Sequence, residues 1–234
     1  MHLFHCPLPE LQVAELPEEE AHHAHHVLRL KVGDPVGLLD GLGALAHATI
    51  TDCGKRGVRV QVISVERSAA ERNHPIHIAV APTKTADRFE WFVEKAVEVG
   101  VDRIIPVVTE RTERTRLRVE RLERVAVSAM KQSRRRWLPH IAPLTPLKAL
   151  LASELPPRRL FGWCEGRHRP LMNAYRTDTG TIVLIGPEGD FSAAEAEQVR
   201  ASGFEAVSIG TSRLRTETAA LAACTWMSLA QQRG

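Results

Sequence analysis

Thr181-Ile-Val-Leu-Ile-Gly-Pro-Glu-Gly-Asp-Phe-Ser192 is the stretch on which the reading of the fold turns. Thr181–Ile185 is a short apolar run rich in β-branched residues, the pattern of a strand buried on both faces of a parallel sheet. Gly186-Pro-Glu-Gly189 ends it with residues that break regular structure and let backbone approach a ligand closely. Ser192-Ala-Ala-Glu195 has the spacing of a capping box, so a helix is expected to start at Ser192 and stop near Gly203. Farther on, Ser208-Ile-Gly-Thr-Ser-Arg-Leu-Arg-Thr-Glu-Thr218 repeats the scheme. Ala206–Ile209 reads as a strand, Gly210 opens a loop, and Thr216 begins a helix of small residues. Two strand–loop–helix units back to back place both loops at the carboxyl ends of parallel strands, where open α/β sheets bind ligands. The second loop also brings two cations and a carboxylate to a helix start, which an ordinary turn does not require.

Upstream, strands and helices alternate from Ile76 onward, predicting an α/β fold with a mostly parallel sheet. Ile76–Ala81 and Ile104–Val108 read as strands. Arg88–Val99 shows Phe89, Phe92, Val93, Ala96 and Val97 on one helical face, with Gly100 as the stop. A long helix is expected from about Arg118 to Arg135, a short one ending near Ala152, and a strand at Leu160–Cys164. Residues 1 to about 70 differ. A short helix over Glu18–Arg29 precedes the strands Pro35–Leu39, Ala44–Thr51 and Val58–Val65, separated by Gly/Asp turns, the pattern of a small barrel. Arg67–Pro75 reads as the linker.

Composition narrows the function classes. The 234 residues are 44% hydrophobic, with no apolar run long enough to cross a bilayer and an N-terminus unlike a signal peptide. Cys6, Cys53, Cys164 and Cys224 form no CxxC pair, so reduced thiols in a soluble cytoplasmic protein are expected. His22 and His26 are one helical turn apart, but no further ligands accompany them and no metal is expected. Walker and GxGxxG motifs are absent, which removes support for nucleotide hydrolysis and hydride transfer. Net charge is +3, yet residues 1–70 hold six Lys/Arg against nine Asp/Glu, so the remainder carries +6 and suits a polyanionic partner. Arg111–Arg136 concentrates ten Lys/Arg against three Glu. Much of it reads as a solvated helix face, but Lys131-Gln-Ser-Arg-Arg-Arg136 has no compensating acid nearby in sequence and suits phosphate oxygens.

The paired loops resemble the C-terminal half of the SPOUT methyltransferases. Lys84 with Arg88-Phe-Glu-Trp91, Glu94-Lys-Ala96 and Glu98-Val-Gly-Val101 narrows this to the RsmE family, the ribosomal RNA small subunit methyltransferase E group. Pro106, Thr109-Glu-Arg111, Gln132-Ser133, Arg135, Leu138-Pro139, Ile185–Gly189 and Leu214–Ala219 are similar to its later motifs. His23, Val27-Leu-Arg29 and Gly33-Asp34 are similar to its N-terminal one. Three places depart from the family pattern: Asp190 and Arg134 stand where glycine is common, and Thr211-Ser-Arg213 replaces a proline-containing loop.

The resemblance implies a PUA-like RNA-binding β-barrel over residues 1–72 and a SPOUT domain with a C-terminal trefoil knot over 73–234. It also implies a homodimer and methylation of N3 of one uridine in 16S rRNA of the small ribosomal subunit, with S-adenosyl-L-methionine as donor. Cofactor contacts are expected from Leu184, Ile185, Gly186, Pro187, Glu188 and Gly189 in the first loop. From the second come Ile209, Gly210, Leu214, Thr216, Thr218 and Ala219. Arg215 is the expected stabiliser of the developing uridinate, and Glu217 or Glu188 would orient the cofactor or accept the N3 proton. Arg29, Lys84, Arg88, Arg111, Lys131 and Arg135 are the expected RNA contacts. Two other readings compete: a SPOUT enzyme acting at another RNA position, such as a ribose 2′-oxygen, and a non-catalytic rRNA-binding assembly factor.

Overall fold

The computed structural model describes residues 1–7, 12–54 and 56–232. Two compact units divide the chain, residues 1–71 with 127–138 and residues 72–126 with 139–234.

The first unit is built on β1 (His2–His5), β2 (Val13–Glu15), β3 (Pro35–Leu39), β4 (Ala44–Gly54) and β5 (Gly57–Arg67), joined in the order β1-β3-β4-β5-β2. Along β4 every second residue, Ala44, Ala46, Ala48 and Ile50, is buried, the alternation of a sheet with one face on a core. Phe4, Val36, Leu38, Val58 and Val60 complete that core. β1 and β2 carry no clear sequence signal; both are recruited by pairing, β1 parallel to β3 and β2 antiparallel to β5. The expected Glu18–Arg29 helix is α-helical only over α1 (Glu18–His22), and a π-helical turn follows over His23–Val27. Residues 136–138 close one end. Gly43 donates to the Arg136 carbonyl (2.9 Å), and Leu138 donates to that of Gly41 (2.9 Å). Gly43, at φ +101°, leaves room for the Trp137 ring, which a Cβ there would meet at 2.6 Å.

The second unit holds β6 (Ile76–Val80), α2 (Ala86–Val99), β7 (Arg103–Val108), α3 (Val119–Ser133, whose last turns belong to the first unit), β8 (His140–Ile141), β9 (Thr145–Pro146) and α4 (Leu147–Leu151). It continues with β10 (Arg158–Gly162), β11 (Arg169–Pro170), α5 (Leu171–Ala174), β12 (Thr181–Ile185), α6 (Ala193–Ala201), β13 (Glu205–Ser208) and α7 (Thr216–Gln231). The sheet runs β11-β13-β10-β12-β6-β7-β8, with β9 beside β7, and all its pairings are parallel. β12 lies at its centre with all five residues buried, as a strand covered on both faces must be. Phe161, Trp163, Leu184, Phe191 and Val199 form the core on one side. The expected face of α2, Phe89, Phe92, Val93, Ala96 and Val97, is the buried one, and Gly100 ends the helix in the left-handed region at φ +99°.

β12 and β13 are not neighbours, because β10 lies between them. The chain passes from β12 through α6 to β13 beyond β10, and α7 returns to pack against α2, β6 and β12. Ala220, Ala223 and Cys224 are among the buried residues of α7, and Ser228 Oγ donates to the Val99 carbonyl at 2.6 Å.

Candidate active site

The carboxyl ends of β6, β7, β10, β12 and β13 each run into a loop, and hydrogen bonds join those loops. After β12, Gly186 packs against Phe191, whose ring a Cβ would meet at 3.0 Å, and Asp190 donates its N–H to the Pro187 carbonyl at 2.9 Å. Ser192 caps α6 with both bonds of the capping box present. Glu195, the acidic partner in that box, also accepts the N–H of Glu110 from the β7 loop at 2.7 Å. Arg111 from the same loop donates to the carbonyls of Gly189 (2.7 Å) and Phe191 (3.3 Å). From the β6 loop the Lys84 N–H donates to Glu188 Oε1 at 3.2 Å. Arg114 in turn donates to the carbonyls of Thr83 and Lys84.

The two loops expected to form one pocket do meet. Thr216 Oγ1, at the start of α7, donates to the Gly186 carbonyl at 3.1 Å. Between them lies Gly162 at the end of β10, where an added Cβ would be 3.1 Å from Ile185 and 3.5 Å from Ile209. That glycine was not singled out from the sequence; nothing local marks it, since its importance comes from the strand order. Among the described residues, the amides of Gly210–Leu214 make no backbone hydrogen bond. Ile185 and Ile209 thus flank Gly162 with apolar side chains, and the unbonded amides of Gly210–Leu214 follow Ile209 directly in the chain. Backbone amides of that kind can serve the polar edges of a bound ligand.

Arg215 is the N-cap residue of α7 and exposed, and among the described residues no acidic side chain pairs with it. Glu217 is a different kind of group. It is 6% exposed, its Oε1 lies 3.9 Å from Arg88 Nε, and its Oε2 is buried without a hydrogen-bond partner among the described residues. Glu188 is exposed at the loop mouth. Thr218 and Gly210 are exposed, Ala219 and Leu214 half-buried, and Leu184 and Pro187 buried. Cys164, just beyond β10, has its thiol pushed up, by burial first and then by Asp190, against a lowering influence from Arg213.

The basic residues divide by what they touch. In the first unit the Lys131–Arg136 cluster is not uncompensated: Lys131 pairs with Glu20 (2.5 Å), Arg135 with Glu71, and Arg136 with Glu66 (2.7 Å). Those acids are distant in sequence, so only the folded chain supplies them. Arg134 is left without an acidic partner among the described residues, as is Arg29. In the second unit Lys84 pairs with Glu113 (3.0 Å), which pushes its ammonium pKa up. Arg116 and Arg118, in the segment just before α3, are exposed without an acidic partner among the described residues; no local pattern in so basic a stretch shows which cations remain unpaired. His22 and His26 stack with ring centroids 4.6 Å apart, and His25 Nδ1 lies 3.5 Å from Cys53 Sγ.

Comparison with known proteins bears directly on this arrangement. The RNA methyltransferase domain family matches residues 70–228, and the RNA methyltransferase PUA domain family matches residues 16–63. Ribosomal RNA small subunit methyltransferase E of Synechocystis sp. is 29% identical over 211 residues, covering 87% of this chain and 69% of the relative. Among solved structures, a probable rRNA-methyltransferase from Porphyromonas gingivalis superposes with a TM-score of 0.90 at 40% identity, covering 100% of this chain and 99% of that one. Ribosomal RNA small subunit methyltransferase E from Neisseria gonorrhoeae, bound to S-adenosyl methionine, superposes at 0.89 with 28% identity and 98% coverage of both chains.

Proposed function

Because the chain belongs to the RNA methyltransferase family, we propose that it methylates N3 of a uridine in 16S rRNA, with S-adenosyl-L-methionine as donor. The observation that carries the reading is the meeting of the Gly186–Gly189 and Ile209–Leu214 loops over Gly162, tied by Thr216 to Gly186. The N. gonorrhoeae relative, similar over nearly its whole length, is bound to that cofactor.

The residues present fit the cofactor. The Gly186–Gly189 backbone and the unbonded amides of Gly210–Leu214 would hold its polar edges, with Thr218 and Ala219 bordering the site at the start of α7. When bound, the cofactor supplies an electrophilic methyl group. The chain's own residues hold the uridine in line with it, and geometry of that kind accounts for much of a transfer rate. Arg215, exposed and without an acidic partner among the described residues, is the group to stabilise the charge that develops on the uridine oxygens as N3 loses its proton. Glu217, buried against Arg88, is the orienting carboxylate. Glu188, exposed at the mouth, is the carboxylate placed to accept the proton. Arg215→Ala is expected to lower kcat far more than cofactor affinity; equal loss of both, or no loss, would overturn its role.

Basic residues of each unit, residues 1–71 with 127–138 and residues 72–126 with 139–234, are the candidate contacts to substrate RNA. Arg29, Lys84, Arg88, Arg111, Lys131 and Arg135 are the candidates that the sequence offered, and Arg116, Arg118 and Arg134 join them as exposed cations. The protein acts as a homodimer in this reading, supported by Trp91 on α2 and Trp226 and Leu229 on α7, large apolar side chains that stay exposed on two helices packed together. The test is to incubate purified protein with labelled S-adenosyl-L-methionine and small subunits lacking the modification, then examine digested RNA by mass spectrometry. One site of 3-methyluridine is the expected product. Methylation elsewhere, or none despite cofactor binding, would refute the assignment.

A further inference from the structure

Asp190 occupies a position for which a glycine would be the easy choice. Its φ is +60°, in the left-handed region that non-glycine residues enter at a cost and that Asp and Asn tolerate best, because their short side chains bond the local backbone. Both carboxylate oxygens are used. Oδ1 accepts the N–H of Phe191 at 2.9 Å and Oδ2 accepts the N–H of Cys164 at 3.1 Å. Cys164 lies just beyond β10, so the second bond spans from the β12 loop to the exit of the neighbouring strand. Oδ1 also lies 3.3 Å from where a Cβ on Gly186 would stand, which puts the carboxylate directly beneath the loop. Phe191 is 1% exposed and anchored against Phe161 and Trp163, with ring centroids 6.0 and 6.3 Å away.

We propose that Asp190 is a positioning residue for the cofactor loops: its carboxylate staples the Gly186–Gly189 turn to the end of β10 and so fixes the cradle before the cofactor arrives. A glycine could take the same φ but would leave two amides without their acceptor and the loop free to sample other shapes. The ordering would then be required at binding, which weakens affinity without touching the chemistry. This inference rests on the loops being the S-adenosyl-L-methionine site.

Three substitutions separate backbone from carboxylate. Asp190→Asn keeps the size and the tolerance of positive φ, but its amide oxygen can serve only one of the two N–H groups. Asp190→Gly keeps the φ and removes the acceptor entirely. Asp190→Glu retains the charge with one methylene too many. By calorimetry, Asn and Gly variants are expected to bind S-adenosyl-L-methionine about tenfold more weakly, as losing a charge-assisted bond implies. Their kcat at saturating cofactor should stay within about twofold, since uniform binding loss raises KM alone. Amide hydrogen exchange at Cys164 and Phe191 should accelerate in both variants, with or without cofactor, and the Glu variant should restore part of the protection. Unchanged affinity and exchange in Asp190→Asn and Asp190→Gly would overturn the staple, and so would a fall in kcat as large as the fall in affinity. If the unmodified protein bound no S-adenosyl-L-methionine, the cofactor reading would fail by itself; the exchange measurement would still show whether the staple exists.

Discussion

Thr216→Val removes one hydrogen bond and changes almost nothing else, because valine has nearly the shape of threonine. Thr216 is 5% exposed and its hydroxyl donates to the buried Gly186 carbonyl at 3.1 Å. With valine that carbonyl has no donor in a place water does not reach. An ordinary hydrogen bond contributes about 1 kcal/mol net, and an orphaned buried group costs about 1–3 kcal/mol. About 2 kcal/mol is therefore expected, which for a unit of this size lowers Tm by about 4–8 °C. The same bond ties the start of α7 to the β12 loop, so S-adenosyl-L-methionine affinity should fall too. Thr216→Ser is the control: it keeps the hydroxyl and gives up a buried methyl group, costing about 1 kcal/mol. It should lose some stability yet bind cofactor as the parent does. Scanning calorimetry gives Tm and titration calorimetry gives Kd. Valine binding as tightly as threonine, or serine weakening binding as much as valine, would refute the view that this bond couples the two loops.

Other outcomes follow from buried charge. Lys131→Ala should destabilise the first unit by about 3 kcal/mol, because Glu20 is 8% exposed and would be left as an uncompensated carboxylate; the urea midpoint reads this, and Glu20→Gln with Lys131→Met should recover most of it. An unchanged midpoint would overturn the pairing role, and a fall of about one unit of log–log slope in the salt dependence of RNA binding would mark the phosphate contact proposed above. His77 has its pKa lowered to about 4, by burial first and then by Arg103 and His140. The unfolded chain then takes up the proton more readily, so this contribution is complete above pH ~6.5 and is lost as pH falls toward ~4. It amounts to about 2 kcal/mol after solvent screening. Asp102, whose carboxyl burial pushes up despite the Ile76 N–H and Arg72, acts in the opposite sense. Urea midpoints of His77→Gln and the parent between pH 7 and 4 isolate the histidine: the parent should lose more stability, and parallel curves would remove His77 as the cause.

Asp190 and Arg134 show how far family resemblance carries. Both depart from a glycine in that pattern, and both have positive φ, +60° and +57°. The sequence thus marked where the backbone is unusual. What each side chain does there depends on neighbours far along the chain. For Asp190 the neighbour is the Cys164 amide, 26 residues away. Arg134 lies between Lys131 and Arg135, whose acidic partners, Glu20 and Glu71, come from the 1–71 segment of the same unit.

What the sequence by itself determined is everything governed by short range. β12 runs over Thr181–Ile185 as the apolar run predicted, and Ser192 and Glu195 form both halves of their cap. α2 buries the five residues its periodicity selected, and α7 begins at Thr216. Period, cap and turn chemistry act within a few residues, so they can be read from one segment. The tertiary structure decided the rest. It inserted β10 between β12 and β13, which made Gly162 the meeting point of the two loops. It recruited β1 and β2, which have no pattern of their own, by pairing them to stronger strands. It neutralised most of a basic cluster with acids drawn from elsewhere in the same unit. Strand order and charge pairing are settled by contacts between residues remote in sequence, whose free energy exists only once the chain has folded.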